Sequence, residues 1–160
     1  RDRASATVAA VATAQEEITF GGAITAAYSF EPKVAIAVDV TFSTDYPGAD
    51  KKQQSDVKMG GGPVISRGSV GSPVLYDMLI DTAEREGIPY SLQINPRYSG
   101  TDADAIHTSR GGVASAVISI PNRYMHSPNE MIQLSDVEQA ARLIAAFVRS
   151  LNTDMDFIPG

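Results

Sequence analysis

Four side chains of this sequence carry groups that could share one piece of chemistry: Glu16, Glu17, Asp39 and His126. Carboxylate oxygens and imidazole nitrogens are the protein ligands of hydrolytic zinc, cobalt and manganese sites. Adjacent glutamates can also divide the work, because successive side chains at a strand end point in different directions. One can bind metal while the other takes a proton from the attacking water as general base. The four residues together predict a metal-dependent hydrolytic site.

Each of these residues has a simpler explanation when it is considered alone. A buried Asp39 is more often satisfied by a salt bridge, and a lone His126 in a loop is more often just exposed. However, an unpaired carboxylate among Val and Ile side chains is costly, so something positive must meet it. Because the carboxylates and the imidazole are expected to converge from separate strands, a bound metal is favoured over separate salt bridges and exposed side chains. The other histidine, His107, lies in a predicted short helix and is interpreted as structural or solvent-facing.

Other chemistries find little support in the sequence. The absence of Cys excludes disulfides, thiolate metal sites and Cys nucleophiles. There is no G-x-S-x-G motif, and Ser127 beside His126 does not make a triad by itself. The glycine run at 60–62 lacks the Lys and Ser or Thr of a phosphate loop, so it is interpreted as a flexible turn.

The predicted strands place the four side chains at strand ends. Apolar runs predict strands at 6–14, 34–40, 63–66, 90–95 and 114–120, the first buried on both faces and the last ended by Pro121. Glu16 and Glu17 then follow the first strand. Asp39 lies near the end of the second, and His126 follows the last. Ligands gather where strands of an α/β sheet end, so we expect these groups to meet at one rim.

Helices alternate with these strands. Residues 22–28 and a short turn at 102–106 are predicted to be helical, and 42–62 is predicted to be a long surface loop. Ser72 and Gly87 bound a helix with one apolar face: Leu75, Met78, Leu79 and Ala83. Ser135 and Glu138 predict a capping box for the last helix, with an apolar stripe of Val137, Ala140, Ala141, Ile144, Phe147, Val148 and Leu151. The alternation predicts a layered α/β domain.

Composition limits the classes of partner. A chain of 160 residues and 17.0 kDa with 43% hydrophobic residues predicts one soluble domain. A net charge of −6 with no basic stripe argues against a nucleic-acid partner. No apolar run approaches the roughly 18 residues of a membrane helix, so we expect no membrane partner and a cytoplasmic location.

Five segments in this order resemble one family of enzymes: ATAQEEITFGGAITAAY, VAIAVDVTFSTDYPG, KMGGGPVI, SGTDADAI and SAVISIPNRYMHSP. The chain is similar to dinuclear metallo-aminopeptidases, the family of glutamyl aminopeptidases and tetrahedral (TET) aminopeptidases, some of which were labelled cellulase M. The resemblance implies an α/β, zinc-peptidase-like fold of three layers, in which helices flank a mixed β-sheet. It also implies that the protein removes N-terminal residues from peptides and forms a homo-oligomer, from a dimer up to a tetrahedral dodecamer.

The resemblance assigns a role to each site residue. Glu16 would be the catalytic general base. Glu17 and His126 would bind one metal, and Asp39 would bind the other, with two divalent ions, zinc or cobalt, in each full-length chain. No substrate-binding residue is assigned, because Thr19 and Gly21 stand where the family commonly has Gly and Arg.

The resemblance also leaves two ligands unmatched. The family's first metal-binding His and its bridging Asp belong to upstream segments, and residues 1–14 contain no counterpart. We therefore expect residues 1–160 to be the C-terminal portion of the catalytic domain, without its N-terminal part, its upstream strands or the inserted dimerisation domain. We expect these 160 residues alone to bind metal weakly and to be inactive.

Two other interpretations stay open. The chain could be a catalytically incomplete fragment or a non-catalytic assembly subunit of the same family. A deacylase or carboxypeptidase of the same clan is a further alternative, which the RYMHSP segment and the context of the glutamate pair disfavour.

Overall fold

The computed structural model describes residues 5–158, which contain five strands and six helices. The strands are β1 (Val34–Phe42), β2 (Val64–Gly68), β3 (Ser91–Asn95), β4 (Ala114–Arg123) and β5 (Met131–Ile132). The helices are α1 (Glu16–Thr19), α2 (Gly21–Phe30), α3 (Lys51–Gln54), α4 (Pro73–Glu86), α5 (Ala103–Ile106) and α6 (Leu134–Ser150). None of the helices in this part of the chain has both the length and the apolar character needed to cross a membrane.

The strands form one mixed sheet in the order β1-β4-β2-β3, with β5 paired to the end of β4. Strands β1 and β4 run parallel, β2 and β3 run parallel, and β2 is antiparallel to β4. The carboxyl ends of β1 and β4 therefore lie at the same edge of the sheet as the beginning of β2. The polar segments after β1 and β4 meet the glycine run before β2 at this edge.

Helices cover both faces of the sheet, as predicted for a layered α/β domain. On one face α4 and α6 pack on the sheet around a core of Ile65, Leu75, Leu79, Ala83, Ile88, Ala116, Ile118, Ala140, Leu143 and Phe147. On the other face Ala103 of α5 packs against Ala37 and Val117. Because alternate residues of a strand share a face, Asp39 lies on the α5 side of β1 with Ala37.

The predicted strand at 6–14 does not form. Residues 6–14 pair with no strand among residues 5–158, and Val8 and Val11 are 60% and 48% exposed. A β-branched run suits a strand only where a neighbouring strand supplies hydrogen bonds and cover, and the described residues offer none here. Glu16 and Glu17 consequently begin the one-turn helix α1 and do not end a strand.

Strand β4 continues through Pro121, which was predicted to end it. The carbonyl of Asn122 accepts a hydrogen bond from the Ser43 amide at 2.9 Å, so the Asn122 backbone faces β1. The backbone of Pro121 faces the other side, because neighbouring residues alternate. On that side the ladder with β2 covers only Ile118 and Ser119. The missing N–H of proline therefore interrupts no pairing with β2.

Helix α4 agrees with its sequence signals. The Ser72 hydroxyl accepts a hydrogen bond from the Leu75 amide at 3.4 Å, and Pro73 occupies the first turn. Gly87 ends the helix in the left-handed conformation, with φ of 63°. Leu75, Leu79 and Ala83 are fully buried, so the predicted apolar face is confirmed.

Helix α6 begins earlier than predicted, and most of its predicted apolar stripe contacts the core: Ala140, Ile144, Phe147, Val148 and Leu151. Gln133 is its N-cap and no side chain caps it, so the capping box assigned to Ser135 is wrong. Val137 is 36% exposed and Ala141 is also exposed, although both were predicted to be apolar contacts. The buried residues are Asp136, Ala140, Leu143, Ala146 and Phe147. Asp136, which the predicted stripe omits, is buried with its carboxylate accepting hydrogen bonds from the amides of Gly60 and Gly62.

Candidate functional site

The two glutamates lie on a tightly turned segment that connects the exposed stretch 5–14 to α2. Residues Gln15 and Phe20, which flank α1, both have left-handed backbone angles, with φ of 64° and 54°. The Gln15 carbonyl accepts hydrogen bonds from the amides of 18–20, which closes the turn. A Cβ at Gly22 would lie 2.4 Å from the Ala14 backbone nitrogen, so only glycine lets α2 start this close. This turn places Glu16 partly buried and Glu17 exposed.

Asp39 is held within β1 and not at its end, because the strand extends to Phe42. Its side chain is partly buried on the α5 face of the sheet. One carboxylate oxygen accepts a hydrogen bond from the Val40 amide at 2.7 Å. This bond fixes the carboxylate and leaves its second oxygen for another group.

His126 lies in the turn that follows β4, as predicted. Its backbone is left-handed, with φ of 63°, and so is that of Tyr124, with φ of 62°. The His126 amide donates to the Glu130 carboxylate at 2.5 Å. The imidazole is exposed and meets the Phe42 ring edge-on, with 6.1 Å between the ring centroids and 84° between the planes.

The charges of the predicted site act on one another. Burial raises the pKa of the Glu16 carboxyl above its ordinary value, and Asp39, Glu17 and Asp102 raise it further. Burial also raises the pKa of Asp39, the bond from the Val40 amide opposes this, and Asp102 and Glu17 add to it. His126 acts in the opposite direction on both carboxyls. The pKa values of Glu16 and Asp39 therefore both respond to the charges of Glu17, Asp102 and His126.

Asp102 was not assigned a role from the sequence. It occupies the N-cap of α5 without capping it. One oxygen accepts a hydrogen bond from the Thr13 hydroxyl at 2.5 Å, and the other is buried without a hydrogen-bond partner within 5–158. Asp104 organises the preceding loop by accepting from the amides of Ser99 and Gly100. The sequence SGTDADAI fits a normal N-cap. Only the structure shows that the Asp102 side chain accepts no hydrogen bond from the amides of α5.

The predicted site residues have donor atoms that suit a divalent metal, but within residues 5–158 too few of them lie close together to hold one. Carboxylates and an imidazole suit zinc, cobalt and manganese. Among residues 5–158, no three His, Asp or Glu side chains are grouped closely enough to hold an ion. The described residues alone therefore do not provide the four ligands of a usual zinc sphere.

The glycine run at 60–62 is held in place and is not the flexible turn predicted from the sequence. The buried carboxylate of Asp136 accepts from the Gly60 amide at 2.7 Å and from the Gly62 amide at 2.9 Å. A Cβ at Gly62 would lie 2.0 Å from the Pro89 carbonyl oxygen. The clamp comes from a residue 76 positions away, which the local sequence does not indicate.

An ion pair links the segment after β1 to the end of β4. Both nitrogens Nε and Nη2 of Arg123 donate to the Asp45 carboxylate, at 2.9 and 2.7 Å. These bonds lower the pKa of Asp45 from 3.8 to about 2. The Met59 amide also donates to Asp45, at 3.3 Å. Three segments at the carboxyl edge of the sheet are thus tied together beside His126.

A second tie fixes α2 against the segment after α5. Arg110 donates from Nε and Nη2 to the Tyr28 carbonyl, at 2.9 and 2.6 Å, and its guanidinium lies 3.8 Å from the centroid of the Tyr28 ring. Arg110 also pairs with Glu31 at 2.9 Å. The helix that follows the glutamates is therefore anchored to the segment that follows α5.

One cavity of the described chain lies away from the predicted site residues. It has a volume of about 620 Å³ and lies between the start of α4, the start of β4 and the segment 155–158, with Lys33, His107 and Phe157 in its wall. None of Glu16, Glu17, Asp39 and His126 lines it. The four predicted site residues therefore lie outside this cavity.

Comparisons with known proteins agree on one family. The sequence model of the M42 glutamyl aminopeptidase family matches residues 1–143. The chain is 39% identical to the lysyl aminopeptidase of Pyrococcus furiosus, over 93% of this chain and 42% of that protein. It is 32% identical to the glutamyl aminopeptidase of Lactococcus lactis, over 89% of this chain and 39% of that protein.

Solved structures agree with these relatives. A TET aminopeptidase from a marine sediment archaeon of the Thaumarchaeota superposes with a TM-score of 0.84 at 34% identity, over 89% of this chain and 40% of that one. The TET1 peptidase of Pyrococcus horikoshii, which can assemble into a tetrahedron or a large octahedral shell, superposes with a TM-score of 0.71 at 30% identity, over 87% of this chain and 40% of that one. The chain spans about two-fifths of the length of its relatives. The mixed sheet flanked by helices is therefore the fold of these peptidases.

Proposed function

We propose an aminopeptidase function from one premise: the chain belongs to the M42 glutamyl aminopeptidase family. The complete gene product would hydrolyse the first peptide bond of its substrates and release the N-terminal residue. The family match over residues 1–143 is the observation that carries this proposal. Relatives named lysyl and glutamyl aminopeptidase support peptides as the substrate class.

In this proposal Glu16 handles the proton of the reaction. Its carboxylate takes a proton from the attacking water and later delivers it to the amine of the leaving peptide. One C–N bond breaks and one water is consumed, so the carboxylate returns to its starting state. The one-turn helix α1 and the close approach of Gly22 to Ala14 support this role, because they hold the backbone that carries Glu16 in one conformation.

Glu17, Asp39 and His126 are the residues of this chain that would hold divalent metal in the proposal. Bound zinc or cobalt, two ions in each complete chain, would supply a Lewis acid that polarises the scissile carbonyl. The electrostatic coupling of the four residues supports their placement in one site. Ligands outside residues 5–158 would have to complete the coordination, because no group of three is present within them.

The test of Glu16 uses the complete gene product, aminoacyl anilides and added zinc or cobalt. Glu16→Gln keeps the size of the side chain but removes the base, so we expect kcat to fall by about 10²–10⁴-fold while KM changes little. Glu138→Gln, on an exposed residue of α6, is the matched control and should leave both constants unchanged. Retained activity in Glu16→Gln would show that the assigned base is wrong.

A non-catalytic assembly subunit is the second candidate function, and the lack of a three-ligand group within residues 5–158 favours it. Metal analysis separates the two functions. A competent enzyme should retain two divalent ions in each complete chain after dialysis, whereas a degenerate subunit should retain fewer. Assembly itself is common to both candidates, and the shell-forming TET1 relative supports a homo-oligomer.

A further inference from the structure

We propose that Glu130 is a positioning residue that holds His126 in place through the backbone. This inference rests on the proposed function, because it gives Glu130 a role only if the imidazole of His126 works in the site. Glu130 precedes β5 and is exposed, and neither the sequence patterns nor the family resemblance assigned it a role. Each of its two carboxylate oxygens accepts a hydrogen bond from a different residue.

The backbone of His126 has a conformation that a hydrogen bond from outside the residue would stabilise. Its φ of 63° is left-handed, a conformation that costs a residue with a Cβ more than it costs glycine. The ring is exposed and meets the Phe42 ring at its edge. Within the turn, the Ser127 amide donates to the Tyr124 carbonyl at 3.0 Å, which closes the turn but does not engage His126.

Glu130 supplies the acceptor for this hydrogen bond. One carboxylate oxygen accepts the His126 amide at 2.5 Å, and the other accepts the Asn122 side-chain amide at 3.2 Å. Hydrogen bonds to a carboxylate are among the stronger ones in proteins. Because both oxygens are engaged by different partners, the carboxylate has one position in which it satisfies both.

Asn122 anchors this bridge to the sheet. It is 2% exposed, lies in β4, and its carbonyl accepts the Ser43 amide of the neighbouring segment. Its side-chain oxygen is buried without a hydrogen-bond partner within the described residues. The amide group is thus turned so that its nitrogen serves Glu130 at the expense of its oxygen. Glu130 and Asn122 thereby connect the backbone of His126 to strand β4.

The experiment compares variants of the complete gene product by metal retention against a chelator, by kcat and KM, and by thermal midpoint. Glu130→Ala removes both acceptors, so we expect zinc to be lost at about 10-fold lower chelator concentration, with a similar fall in kcat/KM. Glu130→Asp keeps the charge but is one methylene shorter and cannot reach both donors, so we expect a comparable loss. Glu138→Ala is the matched control and should retain zinc like the wild type.

Glu130→Gln tests geometry against charge. Its carboxamide oxygen can still accept the His126 amide. The Asn122 side chain can rotate so that its unpartnered oxygen accepts from the introduced NH₂ group. We therefore expect zinc retention within about threefold of wild type, which a purely electrostatic role of Glu130 would not give.

The outcomes distinguish this inference from the proposed function. Wild-type zinc retention in Glu130→Ala, or a loss in Glu130→Gln as large as in Glu130→Ala, would overturn the positioning role. His126→Ala serves as the reference: if it retains zinc like the wild type, the metal-binding role of His126 fails first. If the thermal midpoints of the variants equal that of the wild type, the losses of zinc come from the site and not from unfolding. If Glu130→Ala does not fold, the zinc retention of Glu130→Asp and Glu130→Gln tests the positioning role.

Discussion

The buried carboxylate of Asp136 gives the sharpest prediction about stability. Asp136 is 1% exposed and accepts two backbone amides, from Gly60 at 2.7 Å and from Gly62 at 2.9 Å. Asp136→Ala removes both bonds and leaves the two amides to find other partners. Asp136→Asn keeps a single acceptor oxygen of nearly the same size, so it removes the charge and one bond.

The free-energy cost of losing the Asp136 acceptor differs between the two amides. A hydrogen bond to a charged group contributes about 1.5–3 kcal/mol. Gly60 is exposed, so water can replace its lost partner, whereas Gly62 is buried and its amide would stay unpaired. The negative charge in the first turn of α6 adds about 0.3–1 kcal/mol through the helix dipole. We therefore expect Asp136→Ala to lower the free energy of unfolding by about 3–4 kcal/mol and Asp136→Asn by about 1–2 kcal/mol.

Denaturant unfolding measures the free energy, and hydrogen exchange locates the effect. The urea midpoint should fall in the order wild type, Asp136→Asn, Asp136→Ala with little change in slope. Amide exchange of residues 60–62 should accelerate more than that of α4, because the clamp acts on the glycine run. Glu138→Ala, on the exposed side of α6, should change stability by less than about 0.5 kcal/mol. A cost below about 0.5 kcal/mol for Asp136→Ala, with unchanged exchange at 60–62, would refute the clamp.

Two further predictions concern the carboxyl edge of the sheet. Arg123 lowers the pKa of Asp45 to about 2, so the pair stabilises the fold fully above the unfolded value near 3.8 and loses this contribution as the pH falls toward 2. Asp45→Asn should thus lower the free energy of unfolding by about 1–2 kcal/mol at pH 7, a value reduced for solvent screening because the Arg123 side chain is 30% exposed. Unfolding curves at successive pH values should show that the difference between wild type and variant shrinks between pH 4 and 2. A difference that stays constant would contradict the pairing. Gly62→Ala should destabilise by more than about 3 kcal/mol, because its Cβ would meet the Pro89 carbonyl at 2.0 Å and its φ is +86°. Gly48→Ala, with φ of +88° and no neighbour within 4 Å, should cost only about 1–2 kcal/mol in thermal unfolding, and equal costs for the two would contradict the steric explanation.

Several elements follow from local sequence patterns. Strands β1 and β3 and helix α4 lie close to their predicted bounds, because their periodicity, caps and breakers are encoded within the segment itself. The family was also readable from the sequence, since five motifs in order resemble it and the family match covers residues 1–143. The position of His126 after the last long strand followed from the same reasoning.

The errors arose where a residue depends on a distant partner. The run 6–14 has strand composition, but no neighbouring strand pairs with it within residues 5–158. Pro121 was expected to end a strand, yet the ladder on its donor side had already ended at Ser119. In helix α6 the apolar stripe did not predict that Asp136 is buried, because its two partners, the amides of Gly60 and Gly62, lie 76 and 74 positions away.

The sequence by itself determined the chemical groups: a glutamate pair, an aspartate in an apolar strand and a histidine in a turn. Only the tertiary structure decided that Thr13 donates to Asp102, that Asp136 clamps the glycine run, and that Glu130 bridges the turn to the sheet. The Thr13–Asp102 and Gly60–Asp136 contacts join residues 89 and 76 positions apart. Periodicity and capping are properties of neighbours along the chain, whereas such contacts depend on how strands are ordered in the sheet, which no local pattern specifies.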